Sequence, residues 1–149
     1  MVDLEKLKQL RKKTGVSFSL CKKALEETKN NLEEAEKLLL QWGGEKLKDK
    51  SERKTKEGAI FSYVHHNKKI ASLVEILCET DFVSSNAAFK QLGQDIAMQI
   101  ASQNPQNNDQ LLQQEFIKDP SKKINDLLNE AVLKFGEKIV INRFIRWEI

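Results

Sequence analysis

The sequence holds only two cysteines, Cys21 and Cys78, and they stand far apart. No Cys-x-x-Cys pair and no Cys–His spacing suits a zinc site, so both read as reduced thiols of a cytosol-like compartment. Nor is there an apolar run near the ~18 residues that a membrane-spanning helix needs. The N-terminus, MVDLEKLKQLRKK, is charged and amphipathic and lacks the apolar core of a secretory signal. No glycine-rich phosphate loop follows any expected strand; GVSFSL lacks both the glycines and the lysine placement. Arginine is scarce, 4 residues against 21 lysines. These absences predict no metal site, no cofactor and no membrane association. They suit a cytoplasmic protein, and an organelle matrix is compatible with them too.

What is present is 149 residues with 40% hydrophobic content. That suffices for one ordinary domain, or for a small domain and a medium one. The net charge of +3 is uneven. Residues 1–57 carry 15 Lys/Arg against 11 Asp/Glu, and residues 58–149 carry 10 against 11. Dedicated nucleic-acid domains are more basic than this and gather charge on one face, so no direct nucleic-acid contact is expected.

The first segment reads as three short helices. DLEKLKQLRKK sets Leu4, Leu7 and Leu10 on one face, and Gly15 suits a left-handed C-cap. SFSLCKKALEET follows, with Ser17 as N-cap and Leu20, Cys21 and Ala24 as its buried stripe. NLEEAEKLLLQWGG is the third helix, capped by Asn31, ended by Gly43, with Leu32, Ala35, Leu38, Leu39 and Trp42 inward. The predicted module spans residues 1–45. Residues 46–57, almost all charged, read as a helical or flexible linker.

From residue 58 to 149 the period changes. AIFSYVHHNKKIASLVEILCE reads as a hairpin turning at HHNKK, with Asn67 tolerating positive φ. Ile70 to Cys78 is so continuously apolar that it predicts a strand covered on both faces. NAAFKQLGQDIAMQIASQ is an amphipathic helix with Phe89, Leu92, Ile96, Ala97 and Ile100 on its stripe. NPQNNDQLLQQEFIKDP reads as a long polar connection. A further helix is expected with Asp119 as N-cap, Pro120 in its first turn, Ile124, Leu127, Leu128, Val132 and Phe135 inside, and Gly136 as its stop. KIVINRFIRWEI is a final strand. The prediction is an α+β fold with a small antiparallel sheet of about three strands backed by helices. So small a sheet leaves open edges, which favours a self-partner.

Little here suggests catalysis. Side chains of His65 and His66 in a hairpin would point to opposite faces, too far apart for one ion. Glu75, Glu79 and Asp81 fall at alternate positions and would share a face, without a His or Lys partner. Arg143 and Arg146 alternate with Phe144 and Trp147, a superficial likeness to a nucleic-acid platform that a half-polar strand explains better. The chain reads as a binding protein, not an enzyme. On local pattern Phe82, between an acid and a helix start, fits either core packing or an exposed anchor for a partner.

Four stretches, in order, decide between them by resemblance. LRKKTGVSFSLCKKAL resembles the N-terminal signature of bacterial elongation factor Ts, and EILCETDFVSSN resembles its second signature. YVHHN and GEKIVINRFIRWEI are also similar to that family. Leu77 stands where the family usually has Asn, and GVSFSLC replaces a Met-rich stretch. The resemblance implies a guanine-nucleotide exchange factor for elongation factor Tu. It implies a ubiquitin-associated (UBA-like) three-helix module docking through Arg11, Thr14, Gly15, Cys21, Lys22 and Lys23. It also implies a wedge, Asp81 and Phe82 framed by Thr80 and Val83, that disturbs the magnesium and phosphate site of the GTPase. One core half without the family's helical insertion, which would fall in NPQNNDQLLQQEF, implies a short form and a homodimer. Readings from other classes are a non-catalytic UBA-like adaptor and an RNA-binding translation accessory.

Overall fold

Each helix of the N-terminal segment opens on a side chain that satisfies its unpaired N–H groups. The computed structural model describes residues 1–149. In α1 (Leu4–Thr14) the Asp3 carboxylate accepts from Glu5 N and Lys6 N. Gly15 closes this helix in the left-handed region at φ 69°, where a side chain is strained. Ser17 caps α2 (Phe18–Glu27) through Leu20 N, and Asn31 caps α3 (Leu32–Asp49) through Glu34 N. The core of this unit joins Leu7, Leu10, Val16, Cys21, Ala24, Leu25, Ala35, Leu39 and Leu133, with Leu20, Leu32, Leu38 and Trp42 packed at its edge.

Two expectations fail here. Leu4 is 66% exposed, because the packed stripe begins at Leu7. Gly43 does not end α3, which runs on to Asp49. A Cβ at Gly43 would meet the Asn129 backbone oxygen at 2.1 Å, so the glycine answers to close packing and not to a turn. The chain divides into two compact units, Met1–Ser51 with Asn129–Glu137, and Glu52–Leu128 with Lys138–Ile149.

The remaining elements are β1 (Glu57–Val64), β2 (Ile70–Cys78), α4 (Asp81–Ser84), α5 (Ala87–Gln103), α6 (Asn108–Gln113), β3 (Glu115–Phe116), β4 (Asp119–Lys123), α7 (Ile124–Phe135) and β5 (Val140–Glu148). The fold is α+β. A three-stranded antiparallel sheet has the order β1-β2-β5. Phe61 pairs with Val74, Leu73 with Ile145 and Glu75 with Arg143, and an irregularity follows Glu75. Helix α5 covers one face: Phe61 and Phe89 rings meet at 5.9 Å, and Ser72 Oγ donates to Ala97 O at 2.6 Å. Gly93 lets Phe61 approach so closely that a Cβ would lie 2.2 Å from its ring.

The strand β2 is covered on that face alone; Leu73 on the other face is exposed. At the hairpin tip positive φ falls on Lys68, not on Asn67, whose side chain instead accepts from Lys69 N. The rings of His65 and His66 lie 4.1 Å apart and do not diverge, since both sit where the strand has already given way to the turn.

The stretch read as a long polar connection holds α6 and a β3–β4 hairpin. The buried amide of Gln99 fastens it, donating to Glu115 O at 3.0 Å and accepting from Ile117 N at 3.0 Å. Asp119 and Pro120 lie in β4, so α7 starts only at Ile124. Asp119 binds the N–H and hydroxyl of Ser121, and Asp126 accepts from Lys123 N. Pro120 lacks an N–H, which an edge strand of a two-stranded sheet tolerates. Ile124, Leu128 and Val132 are buried and Gly136 closes α7 at φ 70°. No helix is long and apolar enough to cross a membrane.

Candidate functional site

The end of β2 is buried at Cys78, whose Sγ donates to Thr80 O at 3.3 Å. Thr80 is extended and opens α4, a single turn. Val83 points inward at 7% exposure while Phe82, next to it, is 86% exposed and Asp81 is exposed too. One helical step of ~100° thus separates an anchored side chain from a fully presented one. Asn86 caps α5, accepting from Ala88 N at 2.8 Å; Ser84 Oγ donates back to Asp81 O. A large ring in water with its backbone held on both sides is suited to filling an apolar groove in a partner.

Within the N-terminal unit the six expected docking residues divide by depth. Arg11, Gly15, Lys22 and Lys23 are exposed; Thr14 and Cys21 are buried. Thr14 Oγ1 donates to Leu10 O at 2.8 Å and accepts from Val16 N at 3.3 Å. Cys21 Sγ donates to Val16 O at 3.6 Å. What this buried pair can offer a partner is therefore the shape of the 14–16 turn and not direct contact. Burial pushes the Cys21 thiol pKa up, partly offset by the Thr14 contact and by Arg11. The Arg11 guanidinium lies 5.9 Å from the centre of the half-exposed Phe18 ring, and Lys23 Nζ lies 5.2 Å from Trp42. Lys134 was not legible as a neighbour: its side chain drapes over Gly15, with Nζ 2.7 Å from where a Cβ would stand.

The three acids expected to share a face form no group able to hold an ion. Glu75 takes Asn142 Nδ2 at 2.6 Å and Arg143 Nη2 at 3.2 Å. The Asn142 hydrogen bond and the Arg143 charge hold its carboxyl below the usual glutamate range. Glu79 turns to Arg53 and to the main-chain N–H of Lys138. Arg146 is engaged as well, with Nε donating to Ala101 O and Nη2 at 2.8 Å from Glu148, so no row of free arginines lines β5. Ile60, Val64, Leu73, Ile145 and Trp147 are exposed on the sheet. Their registers place them on the side away from α5.

Comparison with known proteins assigns the chain. The family described as "Elongation factor TS" matches residues 79–149, which begin one residue before Thr80. The family described as "Elongation factor Ts, mitochondrial, N-terminal" matches residues 2–43. The elongation factor Ts of Methylacidiphilum infernorum is 38% identical over 186 aligned positions, covering 96% of this chain and 92% of that protein. The chain belongs to the elongation factor Ts family. It is a translation elongation factor. The Ts factors of Thermodesulfovibrio yellowstonii and Herpetosiphon aurantiacus are 36% and 35% identical over 99% of the chain. Their alignments run to 192 and 193 positions against the 149 residues here. These Ts relatives therefore carry stretches with no counterpart in this chain.

Proposed function

We propose that the chain is a guanine-nucleotide exchange factor for elongation factor Tu and that it acts by binding, without making or breaking a covalent bond. The observation that carries the reading is Phe82, 86% exposed on a one-turn helix anchored by buried Val83. By linkage, a partner that favours the nucleotide-free GTPase must weaken GDP binding by the same factor. A factor of ~100 requires about 2.7 kcal/mol of coupling, and one aromatic buried in an interface contributes ~2 kcal/mol or more. Asp81 and Phe82 enter the GTPase near its magnesium and phosphate site, with Thr80 and Val83 as their frame. Arg11, Gly15, Lys22 and Lys23 dock the N-terminal unit, on a turn shaped by Thr14 and Cys21. The factor works where elongation factor Tu works, in the cytoplasm or an organelle matrix.

The test is stopped-flow release of a fluorescent GDP from elongation factor Tu. Wild type accelerates release, and Phe82→Ala lowers the maximal rate about 30-fold, the equivalent of ~2 kcal/mol. Its folding midpoint stays unchanged, because an exposed ring stabilises nothing in the free chain. An undiminished rate in Phe82→Ala would sink the wedge.

We further propose that the chain forms a homodimer through the exposed sheet face of Ile60, Leu73, Ile145 and Trp147. Monomers rarely leave a contiguous apolar patch of this kind uncovered.

A further inference from the structure

Helix α4 has four residues, too few to offset the cost of nucleating a helix. Thr80 forms no side-chain cap to it. Its shape must come from what fastens its two ends. Val83 and Cys78 hold it from within the core. A third fastening lies immediately before it, at Glu79.

The Glu79 side chain is only 18% exposed, and it joins two segments remote in sequence. Both carboxylate oxygens lie within reach of Arg53 Nη1, at 3.3 and 3.4 Å. Oε2 also accepts the main-chain N–H of Lys138, just ahead of β5. Lys138 Nζ in turn donates to Arg53 O at 3.4 Å. Residues 53, 79 and 138 thus form a closed triangle at the base of the presented turn. Two of its sides are charge-assisted bonds to one carboxylate, the stronger kind of hydrogen bond.

We propose that Glu79 is a positioning residue for nucleotide exchange, clasping the base of the Asp81–Phe82 turn to Arg53 and to the entry of β5. The inference rests on the exchange-factor reading above. A ring pushed into a groove transmits force only if its support does not yield. A support that bends absorbs binding energy in its own ordering, and that energy no longer weakens the nucleotide. Glu79 touches no nucleotide or metal in this role; it acts through Phe82.

The test uses the full chain and two readouts: GDP release from elongation factor Tu over a range of factor concentration, and amide hydrogen exchange of the free factor at residues 81–85. Glu79→Ala is expected to lower the maximal release rate about tenfold, as loss of one charge-assisted hydrogen bond does. The half-saturating concentration moves less, and amides 81–85 exchange faster. Glu79→Gln keeps a carbonyl oxygen for Lys138 N–H and recovers part of the rate. Arg53→Ala, at a half-exposed side chain, also slows release but adds little in the Glu79→Ala background. If Glu79→Ala does not fold, Arg53→Ala decides. A wild-type maximal rate in either variant overturns the positioning role, as does a fall in rate with unaltered amide exchange. A wild type that releases no GDP overturns the exchange reading itself, and the positioning role with it.

Discussion

On one face of the three-stranded sheet Val74 and Ile76 are buried beneath α5; on the other, one residue before Val74 in the same strand, Leu73 faces water beside Ile145. The strands are the same and so is the alternation of their side chains. What differs is the supply of cover. Helix α5 brings Phe89, Ile96 and Ile100 to one side. Among the large side chains of the other face, Ile60, Val64 and Trp147 are exposed as well. An apolar run in a strand therefore reports the composition of its two faces, and not that this chain covers both.

The contrast can be broken most forcefully from the covered side. Ile76→Ala should destabilise the fold by about 2–5 kcal/mol, the range for emptying a core aliphatic site, read as a lower urea midpoint. On the uncovered side Leu73→Ser combined with Ile145→Ser should change monomer stability by only about 0.5 kcal/mol per site. The same pair should move self-association to higher protein concentration in sedimentation; wild-type and variant chains sedimenting alike at every concentration would count against the dimer. The smallest effect belongs to Glu75, a charged member of the uncovered face paired with Arg143. Its folded carboxyl titrates below the unfolded value. Its contribution is thus fully present above ~4.3 and is lost as pH falls through the lower folded value. Glu75→Gln should remove that slope, so wild type and variant should converge in urea midpoint as pH drops.

Much of the architecture was legible because it is local. Asp3 was not singled out, but Ser17, Asn31 and Gly15 cap where their side chains or their freedom of φ dictate. The strands and α5 follow their periods. The failures at Gly43 and at Asp119–Pro120 share a cause in partners distant along the chain. Gly43 imitates a helix stop, yet Asn129 determines its role. Asp119–Pro120 imitates a helix start, yet Gln99 holds that region as a hairpin. For the candidate site, the local pattern around TDFV left open which way Phe82 would point and the resemblance implied an exposed wedge; Phe82 is exposed beside buried Val83. Glu79 looked like one of three acids in a row, because its partners Arg53 and Lys138 stand 26 and 59 positions away.

The two cysteines, one in each compact unit, are both fully enclosed. Each is thus a reporter of a different opening event. A disulfide reagent in excess reacts only with a thiol that has become accessible and can ionise, and burial disfavours ionisation of Cys21 further. In a Cys78→Ser chain the rate of modification times the opening of the N-terminal unit alone, and in a Cys21→Ser chain it times the α+β unit. The comparison needs no added label, since the chain carries one clock for each of its halves.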